Sequence, residues 1–119
     1  MALPNLLSAT TIYGRTAFAN VTTVSSNVLV NPSNSGNSFR IVNLMLAGTD
    51  STSAANAQVL VLREGVNNLM ANAMTVPIGA TLIVVGKENP VVLEEGDALR
   101  ISADANNRIW ATIAYEDIR

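Results

Sequence analysis

Apolar and polar side chains alternate with a period of two along almost the whole sequence, and this alternation restricts the chain to extended β-structure. In the first example, TTIYGRTAF, Ile12 and Phe18 fall on one side and Tyr13 on the other. Similar stretches follow, separated by Gly, Pro, Asn and Ser clusters such as NPSNSGNS and KENP. The pattern predicts about eight or nine short strands, which is typical of an all-β, antiparallel β-sandwich of the jelly-roll kind.

Three segments lead to more detailed predictions. FRIVNLMLAG predicts a strand in which the odd-numbered residues of 39–45 share one face and the even-numbered residues share the other. NNLMANAM is the one segment that allows a turn or two of helix, directly before Pro77. DANN, which contains Asn106 and Asn107, predicts a hairpin-like connection between the last two strands.

The low charge content indicates that neighbouring subunits cover part of the surface. Charged residues make up only 13% of the chain and hydrophobic residues 49%, whereas a soluble monomer generally surrounds itself with Lys and Glu. The stretches VLVL and LIVV are apolar on both faces. In an antiparallel sandwich such a strand is either central or in contact with another subunit. We therefore expect a homo-oligomer, although a monomer with a polar, uncharged surface would have the same composition.

The length of 119 residues suits a single domain over residues 1–119. The beginning, MALPNLLSATTI, has no basic segment and is interrupted by Pro4, so it predicts an extended arm over residues 1–11 rather than a signal peptide. No window approaches the roughly eighteen apolar residues that a membrane span requires. We expect synthesis in a cytoplasm and no membrane partner.

The missing residue types argue against most kinds of chemistry. The sequence has no cysteine and no histidine, so thiol chemistry and the most common general base and metal ligand are excluded. The net charge of −2, without a Lys/Arg cluster, argues against nucleic acid as a partner. No Gly-rich phosphate loop is present. We therefore predict no enzyme activity, no catalytic residues, no cofactor and no metal site.

The segment VVLEEGDALRIS gathers three carboxylates in four positions. Neighbouring residues of an extended segment point to opposite faces, so Glu94 and Glu95 do not form a pair. We interpret the segment as a corner between two strands: Gly96 supplies a positive φ, Asp97 accepts backbone N–H groups, and Leu93 and Leu99 anchor the flanking strands.

Two functional alternatives for the same segment stay open. A weak Ca²⁺ site would use Glu95 and Asp97, although calcium prefers six or more oxygen ligands. A glycosidase would use paired carboxylates across a cleft with aromatic sugar platforms, and one Trp, two Tyr and two Phe leave little material for such platforms.

Trp110 is a candidate interface residue, because alternation in RIWATIAYED points it outward if Ile109 and Ala111 face the core. The reversed register, with Trp110 in the core, is equally compatible with the sequence. The charges near Lys87 and in the last four residues, 116–119, are most simply solvated.

The sequence resembles small β-rich virion structural proteins of tailed bacteriophages, particularly those that infect cyanobacteria. The similarity covers nearly the full chain and is most recognisable in IYGRT (12–16), LEEGDALRISA (93–103) and YEDI (115–118). It implies a non-enzymatic building block of the virion, located in capsid decoration or cement, or in the neck, tail or fibres. A receptor- or carbohydrate-binding module displayed on the particle is the alternative from another class.

The resemblance and the composition together suggest how the subunit assembles. The partners would be other copies of the chain, as a trimer or another ring, and virion proteins such as the major capsid protein. The arm is suited to adding a strand to a neighbour's sheet edge, with Leu6 or Leu7 as an apolar plug. With Tyr13 and Trp110, these leucines form the set of candidate interface residues.

Overall fold

The computed structural model describes residues 11–49, 54–86 and 88–119, and within these ranges it contains nine β-strands and no helix. The predicted arm, with Leu6 and Leu7, lies outside the described residues except for Thr11. The strands are β1 (Ile12–Val21), β2 (Ser26–Val30), β3 (Ser38–Gly48), β4 (Ala55–Arg63), β5 (Val66–Val76), β6 (Thr81–Val85), β7 (Val91–Leu93), β8 (Ala98–Ala103) and β9 (Ile109–Ile118).

The strands form two antiparallel sheets, so the predicted all-β sandwich is confirmed. A five-stranded sheet has the order β1-β9-β3-β6, and β7 pairs with β3 on the same side as β6. A four-stranded sheet has the order β2-β8-β4-β5. This interleaved order is the jelly-roll connectivity, in which the chain passes repeatedly from one sheet to the other.

The core lies between the inner faces of the two sheets. Alternate residues of β9, Ile109, Ala111 and Ile113, are fully buried, and they face Leu99 and Ile101 from β8 among other apolar residues of one cluster. Because neighbouring strand residues point to opposite faces, the intervening residues of β9 point to the outside of the five-stranded sheet.

A β-bulge in β3 changes the predicted side-chain directions. The register between β3 and β9 shifts between Ile41 and Asn43. Phe39 and Ile41 are buried before the bulge, whereas Leu44 and Leu46 are buried after it. The prediction of one continuous odd-numbered face over 39–45 is therefore wrong, because the extra residue in the bulge reverses the alternation.

Two local predictions also differ from the structure. NNLMANAM forms part of strand β5 instead of a helix, since the turn at Glu64 and Gly65, with φ of 53° and 78°, returns the chain along β4. Positive φ at both central residues is the signature of a tight β-hairpin turn. The DANN segment joins β8 to β9, but these strands lie in different sheets, so the connection crosses the sandwich and is not a hairpin.

Candidate interaction surface and acidic corner

The acidic segment forms a tight corner between β7 and β8. Gly96 has a φ of +84°, and the backbone N–H of Asp97 donates to the carbonyl of Glu94 at 3.0 Å. Leu93 and Leu99, on either side of the turn, are fully buried. The geometry thus has the features that the corner interpretation requires; the contribution of these four residues to folding stays a prediction.

Asp97 is the buried anchor of this corner. Its side chain is 1% exposed and receives Arg63 from β4 through Nε at 3.1 and 3.0 Å and through Nη2 at 2.6 Å. The backbone N–H of Glu94 donates to the same carboxylate at 2.8 Å. The hydrogen bond to Asp97 raises the pKa of Arg63 above its ordinary value. Arg63 was not singled out by sequence reasoning, because the pairing joins residues 34 positions apart.

Asn31 holds the corner to the loop that follows β2. Its side-chain amide is fully buried and donates to the carbonyls of Asn37 and Leu93 at 2.9 and 3.0 Å, while its Oδ1 accepts from the Ser35 hydroxyl at 2.8 Å. Its backbone also exchanges hydrogen bonds with the corner, at 2.9 Å with Asp97 and 2.8 Å with Gly96. The sequence gives only a weak signal for this role, an asparagine directly after an apolar strand.

Glu95 is buried as well, at 3% exposure, which the sequence did not indicate. Its Oε1 accepts from the backbone N–H of Gly36 at 2.9 Å, and its Oε2 has no partner among the described residues. Asp97 instead faces Arg63, so the two carboxylates have different partners. A cavity of about 280 Å³ lies beside them and is lined by Ser33, Asn34, Glu64, Glu95, Gly96 and Asp97.

This arrangement favours a structural interpretation of the acidic corner. Asp97 is occupied by a guanidinium and a backbone N–H, and one oxygen of Glu95 by another backbone N–H. In the described ranges, no group of three or more acidic, His or Cys side chains is placed so that it could hold a metal ion. The carboxylates therefore fix turns to one another, as charged acceptors of main-chain donors do.

The charges at the end of the chain are paired rather than solvated, contrary to the sequence-based interpretation. Asp117 is buried and receives Arg15 at 3.3 Å and Arg119 at 3.0 Å. Glu116 forms an ion pair with Arg40 across β9 and β3. The guanidinium groups of Arg15 and Arg119 lie 5.3 and 5.0 Å from the centre of the Tyr13 ring, within the range of cation–π contacts. Tyr13 is thus partly used within its own chain, and its interface role stays a prediction.

The outer face of the five-stranded sheet carries a row of side chains that crosses four strands, is apolar except for Thr112 of β9, and is most exposed at its two ends. Strand register places Phe18 of β1 opposite Thr112 of β9, Thr112 opposite Met45 of β3, and Met45 opposite Ile83 of β6. Phe18 is 64% exposed and Ile83 is 61% exposed. Large exposed apolar residues that lie together on one face are typical of interaction sites, whereas scattered single ones are common on any protein surface.

Trp110 extends this row toward one end of the sheet. It lies between Asn20 of β1 and Ala47 of β3 in the register and is 43% exposed. Together, Phe18, Met45, Ile83 and Trp110 form what we call the outer patch. Of the four, sequence reasoning selected only Trp110 as an interface candidate. The alternation of β1 separated Phe18 from Tyr13 without showing which side faces outward, whereas Met45 depends on the bulge and Ile83 on the pairing of β6.

In the part of the chain that the structure describes, no helix is long and apolar enough to cross a membrane.

Neither family models nor curated proteins match the sequence. Among solved structures, the crystal structure of a pentameric capsid protein isolated from metagenomic phage sequences aligns with a TM-score of 0.41 and 18% identity. The alignment covers 85% of this chain and 59% of that chain, so this chain spans less than two thirds of its neighbour's length. The similarity is too low to transfer a function.

Proposed function

We propose that this chain is a structural subunit of a phage virion that associates with copies of itself and catalyses no reaction. Its place would be capsid decoration or cement, where each subunit bridges neighbours and adds buried area that stiffens the shell. A ring such as a trimer, resting on the major capsid protein, is the arrangement we favour. The chain would be made in the host cytoplasm and would function in the virion.

The outer patch is the observation that carries this proposal. Burying one large apolar side chain contributes about 1.5–3 kcal/mol relative to leaving it exposed. Phe18 and Ile83 are more than three fifths exposed in the isolated chain and Trp110 is 43% exposed, so a large part of that contribution is available only to a partner. Aromatic residues within a well-packed interface are also the most common hot spots.

Two further observations support a structural role. The sequence resembles β-rich virion structural proteins over nearly its full length, and the jelly-roll connectivity occurs repeatedly in viral capsid proteins. Because one fold supports many functions, the connectivity supports the proposal only by analogy. The carboxylates of the acidic corner, which would be the first candidates for chemistry, are engaged in holding turns together.

The proposal is tested on particles of the phage that encodes the chain. Quantitative mass spectrometry of purified virions should find the chain in many copies, and labelling should place it on the capsid shell. Trp110→Ala and Phe18→Ala should lower its copy number while the purified subunits keep their melting temperature. A few copies located at the neck, tail or fibres would contradict the decoration assignment, and absence from the virion would refute the proposal.

A receptor- or carbohydrate-binding role differs from the structural role because it requires the subunit to bind a ligand. Trp110 lies within β9, flanked by strands on both sides, rather than at a loop tip. The exposed aromatics of such a module would be expected at loop tips, so we expect no hit for the wild-type subunit on a glycan array. A reproducible hit that is lost in Trp110→Ala would favour the binding module.

A further inference from the structure

The outermost strands of the two sheets differ in how well they could pair with another strand. In the described part of the chain, β1 ends the larger sheet on one side, β6 and the three-residue β7 end it on the other, and β2 and β5 end the smaller sheet. β2 and β6 have only five residues each, and both pair with their neighbours through a register shift. β5 is long but has two register shifts against β4. Short strands and bulges are the usual protection of sheet edges against pairing.

β1 has neither form of protection. Its ten residues pair with β9 without any register shift, and Thr11 continues the ladder by exchanging two backbone hydrogen bonds with Arg119 at 3.1 and 3.0 Å. The edge is therefore eleven residues long, or about 36 Å at the usual rise of a strand. Arg15 is its only charged residue.

The backbone groups that β1 directs outward follow from this ladder. Because Thr11 and Arg119 form a hydrogen-bonded pair, the odd-numbered residues of 11–21 direct their N–H and C=O groups toward β9. The even-numbered residues of 12–20 direct theirs away from the sheet, and no strand of the described chain receives them. A second strand on this side would form a full antiparallel ladder.

We propose that β1 pairs in antiparallel orientation with β1 of a second copy of this chain, about a two-fold axis that passes beside Thr16. The even-numbered residues must face even-numbered residues for their outward groups to meet. A register centred on Thr16 meets this condition and pairs all eleven residues, Thr11 with Val21 at the ends. Shifting the centre to Arg15 would place two like charges directly opposite each other, which is destabilising, and would shorten the ladder.

Gly14 supports this register. It lies in the interior of a strand, has no positive φ, and an added Cβ would meet no atom within 4 Å, so nothing within its own described chain requires a glycine there. Glycine weakens a strand interior and often marks a close approach of another chain. In the register centred on Thr16, Gly14 lies opposite Phe18 of the second copy, and an aromatic ring that covers a cross-strand glycine stabilises edge pairing.

Pairing at β1 also joins the two outer patches. The two-fold axis runs perpendicular to the sheet, so both outer faces remain on the same side and the Phe18 side chains come close to the junction. The larger sheets of the two copies become one continuous sheet. This inference rests on the self-association part of the proposed function but not on a location in the virion, and the two-fold contact would link rings rather than replace them.

Cysteine cross-linking tests the register directly, because the chain has no cysteine of its own. The residues of a hydrogen-bonded antiparallel pair have Cα atoms about 5.5 Å apart, a separation that a disulfide bridges. Thr16→Cys should form a disulfide-linked dimer on mild oxidation. The matched control is Thr75→Cys, an exposed threonine on the bulged edge β5, which should stay monomeric on a non-reducing gel.

Two further measurements identify the register and the occupant of the edge. Gly14→Cys and Phe18→Cys should cross-link with each other when mixed and not when oxidised separately. Deleting residues 1–9 should leave the Thr16→Cys dimer unchanged. If the deletion instead creates a dimer that the full-length variant lacks, the arm of a neighbour covers the edge and the proposal is wrong.

Dimer affinity separates this inference from the proposed function. Thr16→Lys places two lysines opposite each other and should weaken self-association at least tenfold by sedimentation, whereas Thr75→Lys should not. Equal cross-linking of Thr16→Cys and Thr75→Cys, or no effect of Thr16→Lys, would overturn the β1 pairing. If Trp110→Ala then still lowered incorporation into virions, the structural role would stand without the two-fold contact.

Discussion

Replacing Asp97 by asparagine tests whether the acidic corner holds the sandwich together. The substitution keeps the size of the side chain but removes the charge and turns one acceptor oxygen into an NH₂ donor. At the position of Oδ1 that donor would face Arg63, and at the position of Oδ2 it would face both Arg63 and the backbone N–H of Glu94; all of these groups are donors themselves. The variant therefore loses at least one charge-assisted hydrogen bond and gains a donor–donor contact.

The expected cost follows from the burial of the two partners. A hydrogen bond to a charged group contributes about 1.5–3 kcal/mol, and removing one partner of a fully buried ion pair costs about 3–5 kcal/mol. Asp97 is fully buried, but Arg63 is 41% exposed and regains water when its partner is lost. We therefore expect the free energy of unfolding to fall by about 2–3 kcal/mol, near the lower of these two ranges.

Urea unfolding followed by circular dichroism measures this change. With an m-value of about 1–3 kcal/mol/M for a small protein, the midpoint should move down by roughly 0.7–3 M. The control is Glu94→Gln, the same kind of charge removal three residues away on a side chain that is 31% exposed and contacts Arg63 at 3.4 Å. Exposed ion pairs contribute about 0–1 kcal/mol, so its midpoint should barely move.

Two results would refute this reasoning. If Asp97→Asn and Glu94→Gln shifted the midpoint equally, the buried pair would not be the anchor of the corner. If Glu94→Gln instead abolished a binding activity, the corner would be a functional site. Because self-association makes apparent stability depend on concentration, both variants should be compared at several protein concentrations.

Three further substitutions address other parts of the fold. Gly48→Ala places a Cβ 2.1 Å from the carbonyl oxygen of Pro77, and the clash with the backbone should lower the free energy of unfolding by at least about 3 kcal/mol in thermal melts; a normal melting temperature would contradict it. Gly96→Val should cost about 2–3 kcal/mol in the same melts, because a β-branched residue is strained at a φ of +84° and its Cβ would lie 3.3 Å from the Ser33 hydroxyl oxygen; an unchanged melt would show that the corner relaxes. Asn31→Ala should cost about 2–3 kcal/mol in urea unfolding, since the buried carbonyl of Leu93 and the partly buried carbonyl of Asn37 lose their donor; a loss below about 1 kcal/mol would mean that water replaces the amide.

The sequence predicted the fold class because its strongest signal is local. Period-two alternation and turn residues depend only on neighbouring positions, and they lead to strands such as β9, where buried Ile109, Ala111 and Ile113 alternate with outward residues. The corner between β7 and β8 could be predicted for the same reason, since the φ of +84° at Gly96 belongs to a single residue within a four-residue turn.

The features that sequence reasoning missed all depend on contacts between distant segments. Arg63 at the end of β4 meets Asp97 just before the neighbouring strand β8, and the buried Asp117 is reached by Arg15 from the opposite end of the chain. The pattern of FRIVNLMLAG did not predict the bulge after Ile41, because either alternation combines apolar residues with one polar residue, Asn43 or Arg40. Each of these features depends on how distant strands align with one another, and local sequence patterns do not encode that alignment.

The pairing of the strands also explains why substitutions in two groups of residues should change stability in different ways. The acidic corner meets its polar requirements within one chain, through Arg63 and Asn31, so substitutions there should lower stability at every protein concentration. The outer patch and the edge of β1 leave apolar area and backbone donors without partners in the described chain. Substitutions of Phe18 or Thr16 should therefore leave the dilute subunit unchanged and remove only the part of the stability that rises with concentration.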